Sequence, residues 1–263
     1  MIAERLALRP RSLRAIADLG LQFVRQNALA LAAPTATCIV PAVAVAAWLH
    51  DGGEPVWLWI QVAVIVAFSS APLTFACADL AVQPTTSLRS CLRRARARLP
   101  ALFGVHVAEW ILRLPTLGLS TVLFQFAPEV VLLEAGGLEA ATKRTRTLLS
   151  TVGFRWFTVP GLGVALIGWG AAGGEVGWSA FRALWALPES PSGLTDEGFS
   201  VAAAAGAAVG HAVWVVVRFL IYLDCRTRAE GWDLQLQCQA LVAQHAAPSV
   251  VDSAVARRTR RAA

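Results

Sequence analysis

The sequence predicts an all-α fold, a polytopic membrane helical bundle of about six transmembrane helices with amphipathic interfacial helices on the cytoplasmic side. Three observations support this class. First, 56% of the 263 residues are hydrophobic and 15% are charged, whereas soluble domains carry about 25% charged residues. Second, residues 28–49 and 55–78 contain no charged side chain, and a helix needs roughly 20 apolar residues to cross the hydrocarbon layer. Third, the segments between apolar stretches alternate between basic and acidic.

Six spans are predicted within residues 1–245, which we treat as a single membrane domain followed by a flexible basic tail over 246–263. The spans cover about 28–49, 56–80, 100–114, 117–134, 154–173 and 199–222. One helix over 100–134 would be about 52 Å long, which exceeds the hydrocarbon thickness. Pro115 and Gly118 therefore predict a turn within this stretch. Two full spans and a re-entrant hairpin remain the alternatives there.

Charge predicts the orientation, because basic loops remain in the cytoplasm. Residues 83–99 carry five arginines and no acid, and residues 135–156 carry four basic side chains and one glutamate. Residues 174–198 carry four acids and one arginine, as expected for the opposite side. Since both termini are also basic, we predict a protein of the bacterial inner membrane with both ends in the cytoplasm. The excess of arginine over lysine, 22 to 1, indicates a GC-rich bacterial genome.

Amphipathic helices are predicted before each pair of spans. In residues 11–26 the apolar side chains recur at helical spacing opposite a polar face, and Ser12 is suited to cap the helix. Residues 87–99 and 138–152 have the same pattern. The arginines of these helices would contact anionic headgroups, so membrane lipids are predicted partners.

The segment after the sixth span carries both signs of charge. Its side chains, here called the clamp, are Asp224, Arg226, Arg228, Glu230 and Trp232. Asp224 and Arg228 are four residues apart, as are Arg226 and Glu230, so each pair can interact along a helix. We predict an exit helix over about 223–245 that lies against the other cytoplasmic helices, where its acids meet their arginines.

Three stretches of the chain carry a resemblance. They are LRPRSLRAIADLGLQFVRQN (8–27), FAPEVVLLEAGGLEAATKRTRTLL (126–149) and IYLDCRTRAEGWDLQLQ (221–237). The chain resembles a bacterial group of six-helix membrane proteins that is similar to the membrane domain of some glycerophosphoryl diester phosphodiesterases. The resemblance implies the topology and a domain that is not the catalytic part, and it assigns no active site. The chain departs from the pattern at Pro34 and Pro41, and in a long tryptophan-bearing loop at 174–198.

Ionisable side chains at membrane depth are functional candidates, because burying a charge in lipid is costly. Glu109 lies about 14 Å along the third predicted span. His106 precedes it by three residues and Arg113 follows it by four, so the three share one helix face. One interpretation is a proton or ion relay, or the polar lining of a cavity. The other is a Glu109–Arg113 pair that neutralises itself, with His106 hydrogen-bonded beside it.

Asp79, Glu129 and Arg218 form a second candidate set on the cytoplasmic side. Each lies about one helical turn inside the boundary of its predicted span, where Arg218 could bridge one carboxylate. Such a set would bind an anionic headgroup or act as a gate, or else form a structural pair between helices. Pro128 precedes Glu129 and frees backbone carbonyls there.

Small residues predict close helix contact in the last two spans. The residues are Gly170, Gly174, Gly206 and Gly210. Glycines four apart let two backbones approach closely, so either these spans cross each other or the glycines form a seam in a homo-oligomer. His211 has no carboxylate three or four residues away and is interpreted as a packed histidine.

Aromatic side chains cluster after the fifth predicted span. Trp178, Phe181 and Trp185 predict an amphipathic segment at the outer membrane interface, where aromatic rings are enriched. The segment would anchor the chain in the membrane or dock an extracytoplasmic partner.

Catalytic motifs are missing from the sequence. It contains no HExxH zinc motif, no GxSxG nucleophile motif and no phosphate-binding glycine loop, so we predict no enzyme, no catalytic residue, no metal and no cofactor. We predict a non-catalytic integral membrane subunit, scaffold or assembly factor, with a protein partner or a homo-oligomeric state. The alternative is a transporter or channel for a small solute or ion. Nucleic acid is not a predicted partner, because the basic residues lie between spans.

Overall fold

The computed structural model describes residues 12–49, 54–113, 115–116, 119–134, 136–152, 157–187 and 198–230. Within these ranges the chain forms α-helices and no β-strand, which confirms the predicted all-α class. The helices are α1 (Leu13–Gln26), α2 (Ala28–Leu49), α3 (Pro55–Ser69), α4 (Ala71–Val82), α5 (Leu88–Arg113), α6 (Leu119–Leu123), α7 (Ala127–Leu133), α8 (Leu138–Val152), α9 (Thr158–Leu184) and α10 (Val201–Glu230).

Four helical segments of the described chain are long and apolar enough to cross a membrane. They are Ala28–Trp48, Pro55–Val82, Thr158–Leu184 and Val201–Glu230. The number becomes five if Ser120–Leu133 and Leu138–Ser150, which meet at a bend of 120°, are taken together as one broken span. The fold is thus consistent with a multi-pass membrane protein, with four or five candidate spans where the sequence predicts six.

Helix α1 covers most of the segment predicted to be helical over 11–26, and Ile16, Gly20 and Phe23 on it are buried. Ser12 caps its first turn through the side-chain oxygen. Asn27 ends it, because its backbone and side-chain N–H groups both donate to the Phe23 carbonyl, at 3.0 and 2.9 Å. Gly20 packs against α10, where an added Cβ would lie 2.7 Å from Val217 Cγ2. This helix therefore contacts the bundle core directly.

Helix α2 stays helical through its two prolines and packs against the junction of α3 and α4. At that junction Ser70 follows the last residue of α3, and Pro72 lies in the first turn of α4, a position that proline favours. Thr37 Oγ1 and Cys38 Sγ both donate to the Ser69 carbonyl, each at 3.2 Å. The junction between α3 and α4 is thus contacted by side chains of α2.

Helix α5 differs from the sequence-based expectation. An amphipathic helix over 87–99 and a separate span over 100–114 were expected, but the structure has one helix of 26 residues that passes through Pro100. Buried side chains explain the continuity, because Cys91, Ala95 and Leu102 keep one helical stripe on both sides of the proline.

The predicted span over 117–134 is broken into α6 and α7, which have five and seven residues. Pro128 lies in the first turn of α7, where a missing backbone N–H does no harm. Nearly all of α7 is buried, including Phe126 just before it. The short α7 is thus a core element of the described bundle.

Helix α10 is central: it packs against α1, α2, α4, α8 and α9. Large side chains such as Trp214, Phe219 and Tyr222 are buried along it. It continues without a break from the sixth predicted span into the start of the predicted exit helix and is described as far as Glu230. The rest of that exit helix, Trp232 and the tail over 246–263 lie outside the described residues.

Candidate functional site: a polar pocket in the helix bundle

A pocket of about 350 Å³ lies between α3, α5, α9 and α10, and the segment of α6 and α7 contributes to its wall. Most of the wall is apolar, with side chains such as Val62, Phe124 and Trp214. Six ionisable or amide side chains also line it: His106, Glu109, Arg113, Gln125, His211 and Arg218. Pockets of roughly 300–1,000 Å³ with a few converging polar groups are typical of small-ligand sites.

The three candidate residues of α5 lie together in this pocket. Arg113 Nη2 donates to Glu109 Oε1 at 2.7 Å, and His106 Nδ1 lies 3.6 Å from Glu109 Oε2. The guanidinium of Arg113 also lies over the Trp110 ring, 4.9 Å from its centre. The Glu109 side chain is 12% exposed. Helical spacing thus brings the three together as the sequence indicates, with the carboxylate held from both sides.

The second candidate set is divided in the structure. Arg218 Nε donates to Glu129 Oε1 at 2.5 Å across α10 and α7, and Glu129 is fully buried. Asp79 pairs with Arg94 instead. Arg94 lies on the second turn of α5, and α5 begins a few residues after the end of α4. The hydrogen bond that Arg94 donates to the Asp79 carboxylate raises the pKa of Arg94. The cluster of three is therefore corrected to two separate ion pairs.

Several polar side chains of the pocket have atoms without a hydrogen-bond partner among the described residues. Gln125 is 6% exposed, and its Oε1 and Nε2 atoms are both buried without a hydrogen-bond partner among the described residues. The same holds for His211 Nε2 and for His106 Nε2. Leaving such a group unpaired costs about 1–3 kcal/mol. A ligand or ordered water that contacts these atoms would recover that free energy.

Gln125 is absent from the sequence-based candidates. It lies between α6 and α7, and the prediction of one span over 117–134 gave no reason to separate it from its apolar neighbours. A lone amide three residues before Pro128 in an apolar stretch is the signal that could have identified it. His211, interpreted as a packed histidine, lines the pocket.

The composition of the pocket wall fits a binding site for a small polar molecule. Within the described ranges, no group of three His, Cys, Asp or Glu side chains is placed to hold a metal ion. The pocket offers guanidinium, amide and imidazole groups within an apolar wall, which is the composition of a site that recognises a small polar molecule.

An ion-pair network joins α7, α8 and α10 beyond the pocket. Glu134 follows α7 and accepts hydrogen bonds from Tyr222 Oη at 2.6 Å and from Arg144 Nε at 3.0 Å. Arg144 also pairs with Glu230, which accepts from Arg226 at 3.0 Å. The network connects an arginine of α8 with the end of α10.

Two pairs of the predicted clamp are present at the expected spacing. Arg226 lies 3.0 Å from Glu230, and Arg228 lies 2.8 Å from Asp224. Trp232, the fifth clamp residue, is outside the described part of the chain. The contact between Glu230 and Arg144 is the kind of inter-helix pairing that the mixed charge of this segment predicts.

The four candidate glycines lie where α9 crosses α10. A Cβ on Gly170 would lie 3.0 Å from Gly210 Cα and would overlap the Gly206 carbonyl oxygen. A Cβ on Gly174 would lie 3.0 Å from Gly206 Cα. Within one chain, these glycines therefore let the two backbones touch, as in the first of the two interpretations given above.

The aromatic cluster lies on the last part of α9. Trp178 and Phe181 stack with their rings 5.6 Å apart, and Trp185 lies 6.1 Å from Phe181. All three are well exposed. Helix α9 continues to Leu184, beyond the span predicted to end near residue 173. The three rings do not line the pocket.

Comparison with known proteins finds no match: no family model, no curated protein and no solved structure matches this chain. The resemblance to the membrane domain of glycerophosphoryl diester phosphodiesterases stays a prediction. The geometry of the pocket is the basis on which a function can be assigned.

Proposed function

We propose that this chain is a multi-pass protein of the bacterial inner membrane, with both termini in the cytoplasm, that binds a small polar solute inside its bundle and carries it across the membrane. The observation that carries the proposal is the pocket of about 350 Å³ with ionisable side chains in its wall. Ionisable groups at membrane depth mark solute and ion pathways.

Unpaired atoms favour a binding role over a structural one. Glu109 with Arg113, and Glu129 with Arg218, are paired and could be explained by packing alone. Packing does not explain Gln125 and His211, whose unpaired polar atoms a leucine or phenylalanine would avoid. A site kept for a ligand accounts for both.

Broken helices near the pocket support transport. Phe124 and Gln125, at the break between α6 and α7, line the pocket, as does Ser70 at the junction of α3 and α4. Interrupted helices at a polar site are a recurring feature of secondary transporters, which open that site alternately to each side of the membrane.

Access to the pocket from both sides of the membrane tests this function. Ala67 lines the pocket, whereas Ala204 is fully buried away from it. Each is replaced by cysteine, and a membrane-impermeant maleimide is added to right-side-out or inside-out vesicles. We expect Ala67→Cys to react from both sides and Ala204→Cys from neither, after subtraction of the parent chain's labelling.

Labelling of Ala67→Cys from one side only, or from neither, would contradict transport, because alternating access requires exposure to both compartments. Labelling of Ala204→Cys at the same rate would show that the reagent enters a loosened bundle. The matched alanine thus separates a pathway from general disorder.

A second candidate function, as a subunit or scaffold, is favoured by α9. This helix packs mainly along α10. Only 11% of the residues in its most apolar stretch are buried. Trp169 is 83% exposed on it. A partner helix, or a second copy of the chain, could cover this wide apolar face.

Gentle extraction of the tagged chain from its host tests the scaffold. We expect a scaffold to bring a protein partner in fixed ratio, and Trp169→Ala to reduce that ratio while Trp48→Ala, at a similarly exposed ring on α2, leaves it unchanged. Recovery of the chain with lipid alone would remove this candidate.

A further inference from the structure

The pocket wall presents guanidinium groups, which can bind an anionic oxygen. Arg113 and Arg218 line the pocket, and Glu109 is the one carboxylate among the described lining residues. Glu129 holds Arg218 but does not line the pocket, so a ligand meets the guanidinium end of that pair. Among the described residues Arg218 makes this hydrogen bond through Nε, which leaves the terminal nitrogens of its fork for an oxygen ligand.

A second, independent observation is the buried amide of Gln125. It is 6% exposed, lines the pocket, and has both a donor and an acceptor without a partner among the described residues. Its Nε2 can donate to an anionic oxygen in the pocket, and its Oε1 can accept from a hydroxyl, an amide or a water. His211 Nε2 adds a further unpaired nitrogen at the wall.

The apolar wall indicates that the anion carries a carbon body. Val62, Phe124 and Trp214 line the pocket, and such side chains gain free energy by covering carbon rather than a hydrated ion. A chloride ion would leave this surface uncovered. Each of the two wall arginines is paired with one glutamate, so a monoanion adds one net negative charge to the site and a phosphate dianion adds two. The monoanion is the less costly ligand, because unpaired charge is expensive away from water.

We propose that the pocket binds a small organic carboxylate, with its carboxylate on Arg218 and Gln125 and its carbon chain against the apolar wall. The inference rests on the proposed function and names the class of solute for that site. Gln125 is then a specificity residue, because it distinguishes a carboxylate oxygen from an apolar group of the same size.

Three ligands of matched shape test the class: butanoate, butanamide and butylammonium. Their affinities are measured by calorimetry on the full chain in phosphatidylcholine nanodiscs. We expect butanoate to bind roughly tenfold or more tightly than butanamide, because charge-assisted hydrogen bonds to arginine are the stronger kind. Butylammonium should show no binding. Equal affinity for butanoate and butanamide would overturn the proposal.

Gln125→Leu tests the amide, since leucine keeps most of the volume and removes both polar atoms. We expect butanoate affinity to fall roughly ten- to hundredfold, as for other lost hydrogen bonds to a charged group. Without ligand, the variant should unfold at a higher temperature than the parent chain, because the substitution removes a buried amide that lacks hydrogen-bond partners. A higher unfolding temperature with unchanged butanoate affinity would mean that Gln125 holds water alone, and would overturn its role.

Thr145→Val is the matched control. Thr145 is fully buried on α8, its Oγ1 also lacks a hydrogen-bond partner among the described residues, and it does not line the pocket. The valine variant should also unfold at a higher temperature but keep the parent affinity for butanoate. A loss of affinity in this variant equal to that of Gln125→Leu would show that the effect is not local to the pocket.

The ligand class and the transport function can fail separately. If Ala67→Cys reacts from both sides but butanoate does not bind, the pathway stands and the carboxylate class is wrong. If butanoate binds and Gln125→Leu weakens it, but labelling occurs from one side, the ligand class stands and transport is wrong.

Discussion

The two halves of α10 pack by different physical means. Between Val201 and Gly210 most side chains of the helix are small, and its backbone contacts that of α9 at glycines on both helices. From His211 to Glu230 it carries the side chains that pair with charged groups on α7 and α8. One helix thus packs through close backbone contact in its first half, here called the glycine seam, and through ion pairs in its second half.

The difference shows where the molecule could change its shape. The glycine seam is made of dispersion contacts that are lost quickly as two backbones separate, and few polar groups oppose a small slide along it. The charged half joins several helices through hydrogen-bonded pairs with fixed partners. The pocket lies where these two regions meet, because Ala207 and Ala208 of the first half and His211 and Arg218 of the second half all line it.

The largest expected effect comes from the charged half. Replacing Arg218 with methionine leaves Glu129, which is fully buried, without its partner. Breaking a buried ion pair in this way costs about 3–5 kcal/mol of unfolding free energy. The measurement is an unfolding titration of the purified chain in detergent micelles.

A double variant checks the cause of that loss. Glu129→Leu combined with Arg218→Met removes both charges, and apolar replacement of a whole buried pair is often neutral or stabilising. We expect its stability to return close to that of the parent chain. A double variant as unstable as Arg218→Met would show that packing, rather than the unpaired carboxylate, accounts for the loss.

Local spacing predicts part of the site. His106, Glu109 and Arg113 are three and four residues apart on one helix, and any α-helix that includes them places them on one face. The pairs Asp224–Arg228 and Arg226–Glu230 follow from the same periodicity. These features depend on secondary structure alone, so the sequence is sufficient for them.

Partners between helices are harder to predict. The sequence predicts Asp79, Glu129 and Arg218 at similar depth in their spans, but depth does not tell which carboxylate an arginine meets. The turn between α4 and α5 brings Arg94 to Asp79 and leaves Arg218 for Glu129. Such choices depend on how helices pack around one another, which the pattern of one helix does not contain.

Helix boundaries limit the prediction for the same reason. Pro100 lies inside one continuous helix. The predicted span over 117–134, by contrast, is interrupted near Phe126 although the residues there are mostly apolar. At the break the Ala127 N–H donates to the Phe124 carbonyl at 2.9 Å, and α7 packs inside the bundle. This packing is tertiary, and the pattern of one helix does not contain it. Gln125 was missed because it becomes notable only when that break is known.

The glycine half should give the smaller effect. Gly206→Ala places a methyl group against the carbonyl of Gly170 and close to Gly174 Cα. The backbones must separate, and overpacking of this kind costs about 1–3 kcal/mol. The cost stays below that of Arg218→Met because α9 packs mainly along α10 and can move outward.

Gly173→Ala is the control: its added methyl meets nothing within 4 Å, so helix propensity favours it by up to about 1 kcal/mol. If both alanine variants unfold alike, the α9–α10 seam does not contribute to stability, and the charged half alone holds α10 in place.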